Sequence, residues 1–517
     1  MIWLKFNWLL ASLFMVAVVS GSKPCWKKMM KNGVVCVCNS SYCDSSDPID
    51  KVDNGKVIVI QSTSSGDRLV RKTVSTSNKP SNKKILTFRP DLKYQKIAGF
   101  GGAFTDSATM LINNVSARLR MQIMRSYYAK DGSRYTMGRV PIASTDFSTH
   151  RYTYDDNNNK PDFDLKNFSL AMEDLHYKIP IIKLANKIAD KPLKLVATPW
   201  TAPAWMKTNN KLIGMGSLKG QAGDNYHTTW ANYFVKFLDS YSKRGITFWG
   251  ITAQNEPTDG NTPNFSFQCM GFKPDAERDF IKKDLGPTLA KHNYSHVNLI
   301  ILDDNRPLLP EWAIKILKDK DARKYVKGIG IHWYLDVLVP VTVLNVTHYL
   351  FPDVFILATE ACTGTSLFDT PGPLLGSWAR GVRYSTSIID DLNNFVVGWL
   401  DWNLVLDLKG GPNWVKNFAD SPIIIDSKQD VIYKQPMFYH LAHFSKYINP
   451  GSVRVGIKGD TNNTKIVGVI DSGRGVVVIL NPNPMVEKFS LKVGNIYIDM
   501  EVPKDSIQTY IFNLSGK

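Results

Sequence analysis

Through the middle of the chain, short apolar segments alternate with amphipathic helical segments, and this alternation restricts the possible folds more than any other feature. Strands that alternate with helices predict βαβ units and a parallel sheet. We predict eight such strands, at Ile97–Phe104, Arg139–Ala143, Leu193–Thr198, Phe248–Gln254, Leu299–Leu302, Gly328–Trp333, Val354–Thr359 and Val396–Trp402. Eight parallel strands, each followed by a helix, close into a (β/α)8 TIM barrel, so the predicted fold class is α/β.

The two ends of the chain have a different pattern, with short strands and no helical periodicity between them. The predicted strands are Ser452–Ile457, Lys465–Ile470, Val476–Leu480 and Phe489–Val493 near the C-terminus, and Val57–Ile60 and Ile85–Phe88 near the N-terminus. Together they predict an attached β-sandwich built from both ends of the chain. The polar segment Ser62–Lys84 between the two N-terminal strands is predicted to be a loop.

Residues 1–21 are predicted to be a secretory signal peptide. Lys5 precedes the apolar run Trp8–Val19, and small residues follow at Ser20-Gly21-Ser22. The run is shorter than the roughly 20 residues that cross a bilayer, although an uncleaved anchor is the alternative. We therefore expect the protein to enter the secretory pathway.

The formal net charge of the chain is +17 at pH 7. A basic protein of this kind is attracted to anionic surfaces such as acidic phospholipid, and a plain soluble basic protein is the alternative. The lysines and arginines are scattered along the sequence and the chain is expected to be exported. Nucleic acid is therefore not an expected partner.

Four of the six cysteines lie in one short stretch, at Cys25, Cys36, Cys38 and Cys43. In an oxidising compartment such a cluster predicts two disulfides, with three possible pairings. A zinc knuckle is the alternative, but no histidine lies in the stretch. Cys269 and Cys362 stand alone and are expected to be free thiols.

Sequons for N-linked glycosylation occur along the whole chain. We expect glycosylation at Asn39, Asn114, Asn167, Asn293, Asn345, Asn462 and Asn513. A further sequon at Asn264 lies close to the candidate site described next.

Two glutamates follow barrel strands, Glu256 after the fourth and Glu360 after the seventh. In a TIM barrel, catalytic groups lie at the C-terminal ends of the strands, so these carboxyl groups face each other across the barrel mouth. Glycoside hydrolysis requires such a pair, one as a proton donor and one as a nucleophile or base. A separation of about 5 Å indicates retention of configuration, whereas roughly 6.5–9.5 Å indicates inversion.

Other strand ends carry residues suited to holding a sugar ring. Asp146 follows the second strand and can bind hydroxyl groups, and Asn255 precedes Glu256. Trp200 and Trp402 can pack against the apolar face of a pyranose. Arg139 opens the second strand, where its charge can keep Glu360 ionised. His332 and Tyr334 end the sixth strand.

At these residues the sequence resembles glycoside hydrolase family 30. The stretches that carry the resemblance are Gly99–Asp106, Arg139–Pro141, Thr198–Thr201, Gln254–Pro257, His332–Asp336, Trp402-Asn403 and Gly411–Trp414. The resemblance extends over almost the whole chain after the predicted signal peptide, including the stretch with four cysteines.

The resemblance implies a role for each site residue. Glu256 is the acid/base and Glu360 is the nucleophile, while His332, Tyr334 and Arg139 support them. Asp146, Trp200, Asn255, Trp402, Asn417 and Phe418 are implied to bind substrate, and Phe267 is implied to lie at the rim of the site. The disulfides are implied to pair Cys25 with Cys36 and Cys38 with Cys43. No metal or cofactor is implied.

The resemblance also implies a domain plan. Residues 22–48 plus 404–435 form a small three-stranded β domain with both disulfides, residues 50–94 plus 452–517 the β-sandwich, and residues 95–403 plus 436–451 the barrel. The implied reaction is hydrolysis of glucosylceramide to glucose and ceramide, helped by a saposin-type activator and anionic phospholipid in the lysosome. A β-xylosidase or a β-glucanase of the same family is the alternative.

The implied mechanism is a two-step displacement through a covalent glucosyl-enzyme. Glu256 must be protonated and Glu360 ionised at the start, so we expect the pKa of Glu256 to lie above that of Glu360. This expectation predicts an acidic optimum for activity.

Overall fold

A computed structural model of the chain describes residues 21–49, 51–365 and 369–514. Its strands, numbered β1 to β22 in chain order, are Lys27–Met30, Gly33–Asn39, Lys56–Thr63, Val70–Ser75, Ile85–Lys96, Gly99–Ala103, Met137–Ile142, Lys194–Pro199, Gly250–Thr252, Asn298–Asn305, Val326–His332, Phe355–Glu360, Val396–Asn403, Val405–Asp407, Ile423–Asp426, Val431–Lys434, Val453–Lys458, Lys465–Asp471, Arg474–Asn481, Glu487–Val493, Ile496–Val502 and Ser506–Asn513. The predicted signal peptide lies almost wholly outside the described residues.

The α-helices, numbered α1 to α11, are Asp106–Asn113, Ala117–Tyr128, Ile179–Ile188, Asn225–Ser242, Pro274–Phe280, Gly286–Lys291, Glu311–Leu317, Lys320–Arg323, Val343–Leu350, Trp378–Asn393 and Pro436–Ser445. Single π-helical segments precede α3 and join α5 to α6. Among the described residues, none of these helices combines the length and the apolar character needed to cross a bilayer.

Strands β6 to β13 form a closed barrel of eight parallel strands, which confirms the predicted TIM barrel. Each of the eight strand predictions overlaps one of these strands. The base of the barrel is filled by apolar side chains that include Met137, Val196, Ile300, Leu357 and Leu400. Polar groups such as Arg139 and Glu360 lie further along the same strands, so the barrel is a packed core with its polar end at the C-terminal edge.

A nine-stranded sheet system, in the order β21-β20-β5-β17-β18-β19-β22-β3-β4, confirms the predicted sandwich from both ends of the chain. The predicted loop Ser62–Lys84 is wrong in part, since β4 lies within it and pairs with β3. β4 is almost entirely exposed, and an exposed edge strand tolerates the polar residues that favoured a loop.

Helix α11 joins the sandwich to the barrel. All ten of its residues are buried. His443 Nδ1 lies 2.8 Å from Thr509 Oγ1 of β22, and its Nε2 lies 3.0 Å from Ser62 Oγ of β3. The helix thus fixes the barrel against the two sandwich strands that come from opposite ends of the chain.

The N-terminal domain is a sheet of five strands in the order β1-β2-β16-β15-β14. The prediction of three strands is too low by two, because four strands pair antiparallel and β14 adds parallel to β15. The disulfides Cys25–Cys36 and Cys38–Cys43 are both formed, and Cys269 and Cys362 are free and buried. With all four clustered cysteines oxidised, no thiolate is left for the alternative zinc site.

Of the sequon asparagines, Asn114, Asn167, Asn293 and Asn462 are exposed, whereas Asn39, Asn345 and Asn513 are partly buried. Nδ2 of Asn513, the atom that a glycan would modify, donates to the carbonyl of Val52 at 2.8 Å. Glycosylation at these positions stays a prediction.

Candidate active site

Glu256 and Glu360 meet at the C-terminal mouth of the barrel, as predicted. Glu360 is the last residue of β12, and Glu256 is the fourth residue after the end of β9. One carboxylate oxygen of each lies within 4.8 Å of the other and of a ring nitrogen of His332. Glu256 has a φ of +39°, a strained value for a residue other than glycine, which turns its side chain into the site.

A cavity of about 800 Å³ opens above the two carboxyl groups. Its lining includes both glutamates and the predicted residues Asp146, Trp200, Trp402, Tyr334, Phe267 and Asn417. Trp200 and Trp402 are stacked with ring centroids 5.1 Å apart. The cavity therefore combines an acidic pair with an aromatic wall on which a sugar ring can pack.

Arg139 is fully buried and joins several parts of the site. Its Nη1 donates to Oε2 of Glu360, and its Nη2 donates to Asn255 Oδ1 and Asp303 Oδ2, both at 2.8 Å. Its guanidinium carbon lies 4.9 Å from the ring centroid of Trp200. These contacts fix the orientation of Glu360 and place Asn255 behind the reacting groups.

Asp303 is a buried member of the site that the sequence analysis missed. Its Oδ1 lies 3.1 Å from Nε2 of His332, so it bridges His332 and Arg139. Leu302 and Asp303 have φ values of +69° and +52°, and the register of β10 with β11 shifts at this point. A bulge changes the direction of a side chain without leaving a periodic pattern in the sequence. The one available signal was that Asp303 directly follows the predicted strand Leu299–Leu302, at a strand end where site residues are expected.

His332 lies between the carboxyl groups of Glu256 and Asp303, and Tyr334 contacts the nucleophile Glu360. Nδ1 of His332 is 2.9 Å from Glu256 Oε1, opposite its contact with Asp303. The hydroxyl group of Tyr334 donates to Glu360 Oε1 at 2.7 Å. Both oxygens of Glu360 thus receive a hydrogen bond, which orients the carboxylate.

The pKa values of His332, Glu256 and Glu360 depend on burial and on the charges that these side chains exert on one another. Burial disfavours the imidazolium of His332, but Glu360, Asp303 and Glu256 around it raise its pKa to about 10. Burial acts to raise the pKa of Glu256, yet the hydrogen bond and charge of His332 outweigh burial and lower it. Burial raises the pKa of Glu360 despite the opposing charges of His332 and Arg139.

In the free site the pKa of Glu256 is lowered and that of Glu360 is raised, and these directions run against the expectation that Glu256 is the weaker acid. The sequence did not show that His332 would lie against Glu256 as a cation. Because the two carboxyl groups are so close, their titrations are coupled, and the proton distribution belongs to the pair.

The sugar-binding side of the cavity is centred on Asp146. Its Oδ2 accepts from Nδ2 of Asn413 at 3.1 Å and from Nδ2 of Asn417 at 3.0 Å. Burial raises the pKa of Asp146 to about 7, although both hydrogen bonds act to lower it. Asn413 was not singled out as a site residue, although it lies within the stretch Gly411–Trp414 that carries the family resemblance.

Part of the cavity lining is apolar. Phe265 and Phe267 lie edge to face with centroids 4.5 Å apart, and Leu308, Leu335 and Val415 also line the opening. Phe418 differs from its predicted role, since its ring lies against Gly411 and is not part of the cavity lining.

Glu256, His332 and Glu360 place three potential metal-binding atoms within 4.8 Å of one another. Both oxygens of Glu360 already accept from Arg139 and Tyr334, and the two ring nitrogens of His332 already contact Glu256 and Asp303. The expected absence of a metal or cofactor stays a prediction.

Comparison with known proteins agrees with this geometry. Residues 97–448 match the TIM-barrel domain of glycosyl hydrolase family 30, and residues 451–510 match the β-sandwich domain of the same family. The chain is 47% identical to lysosomal acid glucosylceramidase of Mus musculus over 513 residues, which are 97% of this chain and 99% of that protein.

Two further proteins are similar to the chain, one in sequence and one in structure. Putative glucosylceramidase 4 of Caenorhabditis elegans is 43% identical over 500 residues, 95% of each protein. The solved structure of an endo-β1,6-glucanase aligns with a TM-score of 0.79 at 26% identity, covering 89% of this chain and 100% of that chain. With both domains and the two barrel carboxylates in place, the chain is a glycoside hydrolase and belongs to glycosyl hydrolase family 30.

Proposed function

We propose that this protein is a retaining β-glucosidase that hydrolyses glucosylceramide to glucose and ceramide. The observation that carries the proposal is the position of the two carboxyl groups, with one oxygen of each within 4.8 Å of the other at the base of the cavity. This separation suits direct attack by a carboxylate and is too short for a water molecule to stand between nucleophile and sugar.

In the first step, Glu360 attacks the anomeric carbon while Glu256 gives its proton to the departing ceramide oxygen. The bond from the anomeric carbon to that oxygen breaks as the bond to Glu360 forms. In the second step, Glu256 takes a proton from water, which displaces Glu360 and releases glucose. Arg139 and Tyr334 hold the two oxygens of Glu360 so that one is directed at the sugar.

The substrate assignment is supported by the apolar rim and by the mouse relative. The glucose ring fits between Asp146 and the stacked Trp200 and Trp402, while the rim formed by Phe265, Phe267 and Leu308 suits the lipid part.

Access to a lipid substrate requires contact with a membrane surface. The segment after β11 leaves Val337 and Leu338 exposed by 78% and 61%, directly beyond Leu335 of the cavity lining. Together with the net charge of +17, these side chains suit an anionic bilayer. Anionic phospholipid and a saposin-type activator are accordingly proposed as partners, and the lysosomal lumen and its membranes as the location.

The test is hydrolysis of glucosylceramide at pH 5 in vesicles with and without phosphatidylserine. β-1,6-Glucan and an aryl β-xyloside are offered to the same preparation. We expect turnover of glucosylceramide, stimulation by phosphatidylserine, and glucose released first as the β-anomer by NMR. Preferred cleavage of β-1,6-glucan or of the xyloside would instead assign the alternative substrates.

A matched pair of variants checks the nucleophile. Glu360→Gln should abolish hydrolysis and labelling by a glucose-based epoxide, whereas Glu311→Gln, an exposed residue of α7, should retain both. Hydrolysis at the full rate by Glu360→Gln would contradict the mechanism.

A further inference from the structure

Arg383 is a cation in the cavity that the mechanism does not use. It lies in the first half of α10, is half-buried, and lines the cavity together with both catalytic glutamates. Its guanidinium carbon lies 4.3 Å from the ring centroid of Trp333. Trp333 stands in the chain between His332 and Tyr334, the residues that contact the acid/base and the nucleophile. Arg383 is therefore anchored on the segment that also supports both catalytic carboxyl groups.

Trp333 is a well-fixed support for this guanidinium. Its Nε1 donates to the carbonyl of Cys362 at 3.1 Å, and its ring meets those of Tyr384 and Trp399 edge to face, with centroids 5.3 and 5.9 Å apart. An arginine over an indole has one face of its guanidinium covered, while its N–H groups project from the edge of the plane. The donors of Arg383 thus remain available to an acceptor in the cavity.

Arg383 differs from the other arginines of this region in having no acidic partner. In the part of the chain that the structure describes, its contact with Trp333 is accompanied by no hydrogen bond and no ion pair. Arg380, one turn earlier on α10, pairs with Asp420, and Arg306 pairs with an aspartate at 3.2 Å. A guanidinium without an acceptor, placed where substrate binds, is suited to an acceptor on the substrate.

The charge of Arg383 is poorly compensated by its surroundings. Arg383 is close enough to act on the charge of Asp336, but Oδ2 of Asp336 pairs with Arg306. Burial raises the pKa of Asp336 to about 7, although the charges of Arg306 and Arg383 act to lower it. In mild acid this carboxyl group therefore carries a proton and leaves the guanidinium positive. Lys416 is the other cation of the cavity lining, and its side chain is exposed.

Arg383 belongs to the part of the cavity assigned to the lipid. Its support, Trp333, begins a segment that continues through Leu335 of the lining to the exposed Val337 and Leu338. That segment is the one proposed to meet the bilayer, whereas the glucose ring is assigned to the tryptophan pair on the other strands. Arg383 is therefore expected to face the aglycone of the substrate and not its sugar.

We propose that Arg383 determines which aglycone the enzyme accepts, an inference that rests on the proposed function. Its N–H groups donate to an acceptor near the glycosidic oxygen, which in glucosylceramide is the amide carbonyl of the ceramide. A positive charge at that position is disfavoured, because it would meet the guanidinium. Glucosylsphingosine, the same lipid without its acyl chain, has a protonated amine there at pH 5. The preferred substrate class is therefore the N-acylated lipid.

The test compares Arg383→Met with wild type on glucosylceramide and glucosylsphingosine, in micelles of a neutral detergent at pH 5. Methionine keeps an unbranched side chain against Trp333 but removes the donors and the charge. We expect kcat/KM for glucosylceramide to fall about tenfold, because the carbonyl loses a charged donor. For glucosylsphingosine we expect kcat/KM to rise about threefold, because the repulsion is removed. A purely structural role of Arg383 would lower both values together.

Two further variants serve as controls. Arg383→Lys keeps a positive charge, so its kcat/KM for glucosylsphingosine should stay within about twofold of wild type. Arg118→Met removes an exposed arginine of α2 that is not part of the cavity lining, and should leave both values unchanged. If Arg383→Met shows the wild-type ratio of the two kcat/KM values, or loses activity equally on both lipids, the proposal is overturned.

Water-soluble probes separate the role of Arg383 from the assignment of the lipid. Phenyl β-glucosides with a carboxylate or a trimethylammonium group on the ring are offered to wild type and to Arg383→Met. We expect wild type to exceed the variant in kcat/KM by about tenfold for the carboxylate and to fall below it for the trimethylammonium. If this is seen but glucosylceramide is not cleaved, the proposed substrate fails while Arg383 still selects the aglycone. If both probes respond equally to the substitution, the inference fails and hydrolysis of glucosylceramide is unaffected.

Discussion

Nη2 of Arg139 lies 2.8 Å from Oδ2 of Asp303, and both side chains are fully buried. The same arginine holds Glu360, and the same aspartate holds His332 against Glu256. A single buried ion pair thus connects the supports of the nucleophile and of the acid/base. Any change to this pair should therefore affect both catalytic groups.

Asp303→Asn removes the charge that Arg139 and His332 share. We expect kcat/KM for an aryl glucoside to fall about 100-fold, because both catalytic carboxyl groups lose their fixed orientation. The free energy of unfolding should fall by about 3 kcal/mol, since Arg139 is left partly uncompensated in the interior. Steady-state kinetics and urea denaturation measure the two effects, with the exposed Asp53→Asn as the control. Wild-type kinetics in Asp303→Asn would contradict the assignment.

Glu256→Gln should separate the proton donor from the nucleophile. For methylumbelliferyl β-glucoside we expect a loss of about 1,000-fold in kcat/KM, because the leaving group departs without a proton. For dinitrophenyl β-glucoside the loss in kcat/KM should be less than about tenfold. An equal loss on both substrates would mean that Glu256 does not act as the acid.

Asn417 and Phe418 are neighbours in sequence, but we expect their replacement by alanine to change KM to different extents. Asn417→Ala removes a hydrogen bond to Asp146, so we expect KM for glucosides to rise about tenfold and the pKa of Asp146 to rise above about 7. Phe418→Ala should leave KM within about twofold, because its ring packs on Gly411 outside the cavity. KM is measured for both variants between pH 4.5 and 7.5. Equal KM values for the two variants would contradict a role of Asn417, but not of Phe418, in binding the sugar.

Glu277 makes the protein more stable in acid. Burial raises its pKa to about 7, although the indole N–H of Trp312 and the backbone N–H of Leu302 act in the opposite direction. Since the folded state holds this proton more tightly than the unfolded state, stability is lost as pH rises from about 4.5 to about 7, by up to about 3 kcal/mol. Glu277→Gln should flatten this part of the stability profile.

The measurement for Glu277 is the free energy of unfolding of both proteins at pH 5 and pH 7. Buried His440 and His443, whose pKa values are lowered, act in the opposite sense in the acidic range, so the two proteins must be compared with each other. Glu311→Gln on the neighbouring helix α7 should keep the wild-type slope. A slope in Glu277→Gln equal to that of wild type would refute the assignment.

The parts of the structure that obey a repeating pattern were predictable from the sequence. All eight barrel strands were found because each is a short apolar run between helices, and Glu256 and Glu360 followed from their position at strand ends. β4 was missed because an exposed edge strand has no apolar face. The five-stranded sheet was undercounted by two strands, one of which, β14, is only three residues long.

The finer arrangement of the site depends on tertiary contacts that no local pattern records. Asp303 reaches the site through two residues with positive φ, and the ring of Phe418 lies against Gly411 and is not part of the cavity lining. The order of the two catalytic pKa values also depends on where His332 lies. Each of these features is set by residues far apart in the sequence.

β22, the last strand of the chain, lies inside its sheet between β19 and β3. During synthesis on a ribosome, β3 emerges early but cannot pair with β22 until nearly the whole polypeptide has been made. A stop codon that deletes only the final dozen residues would leave β3 and β19 without their common neighbour. Such a shortened product is expected to be retained and degraded by cellular quality control, even though every residue of the catalytic mouth is present.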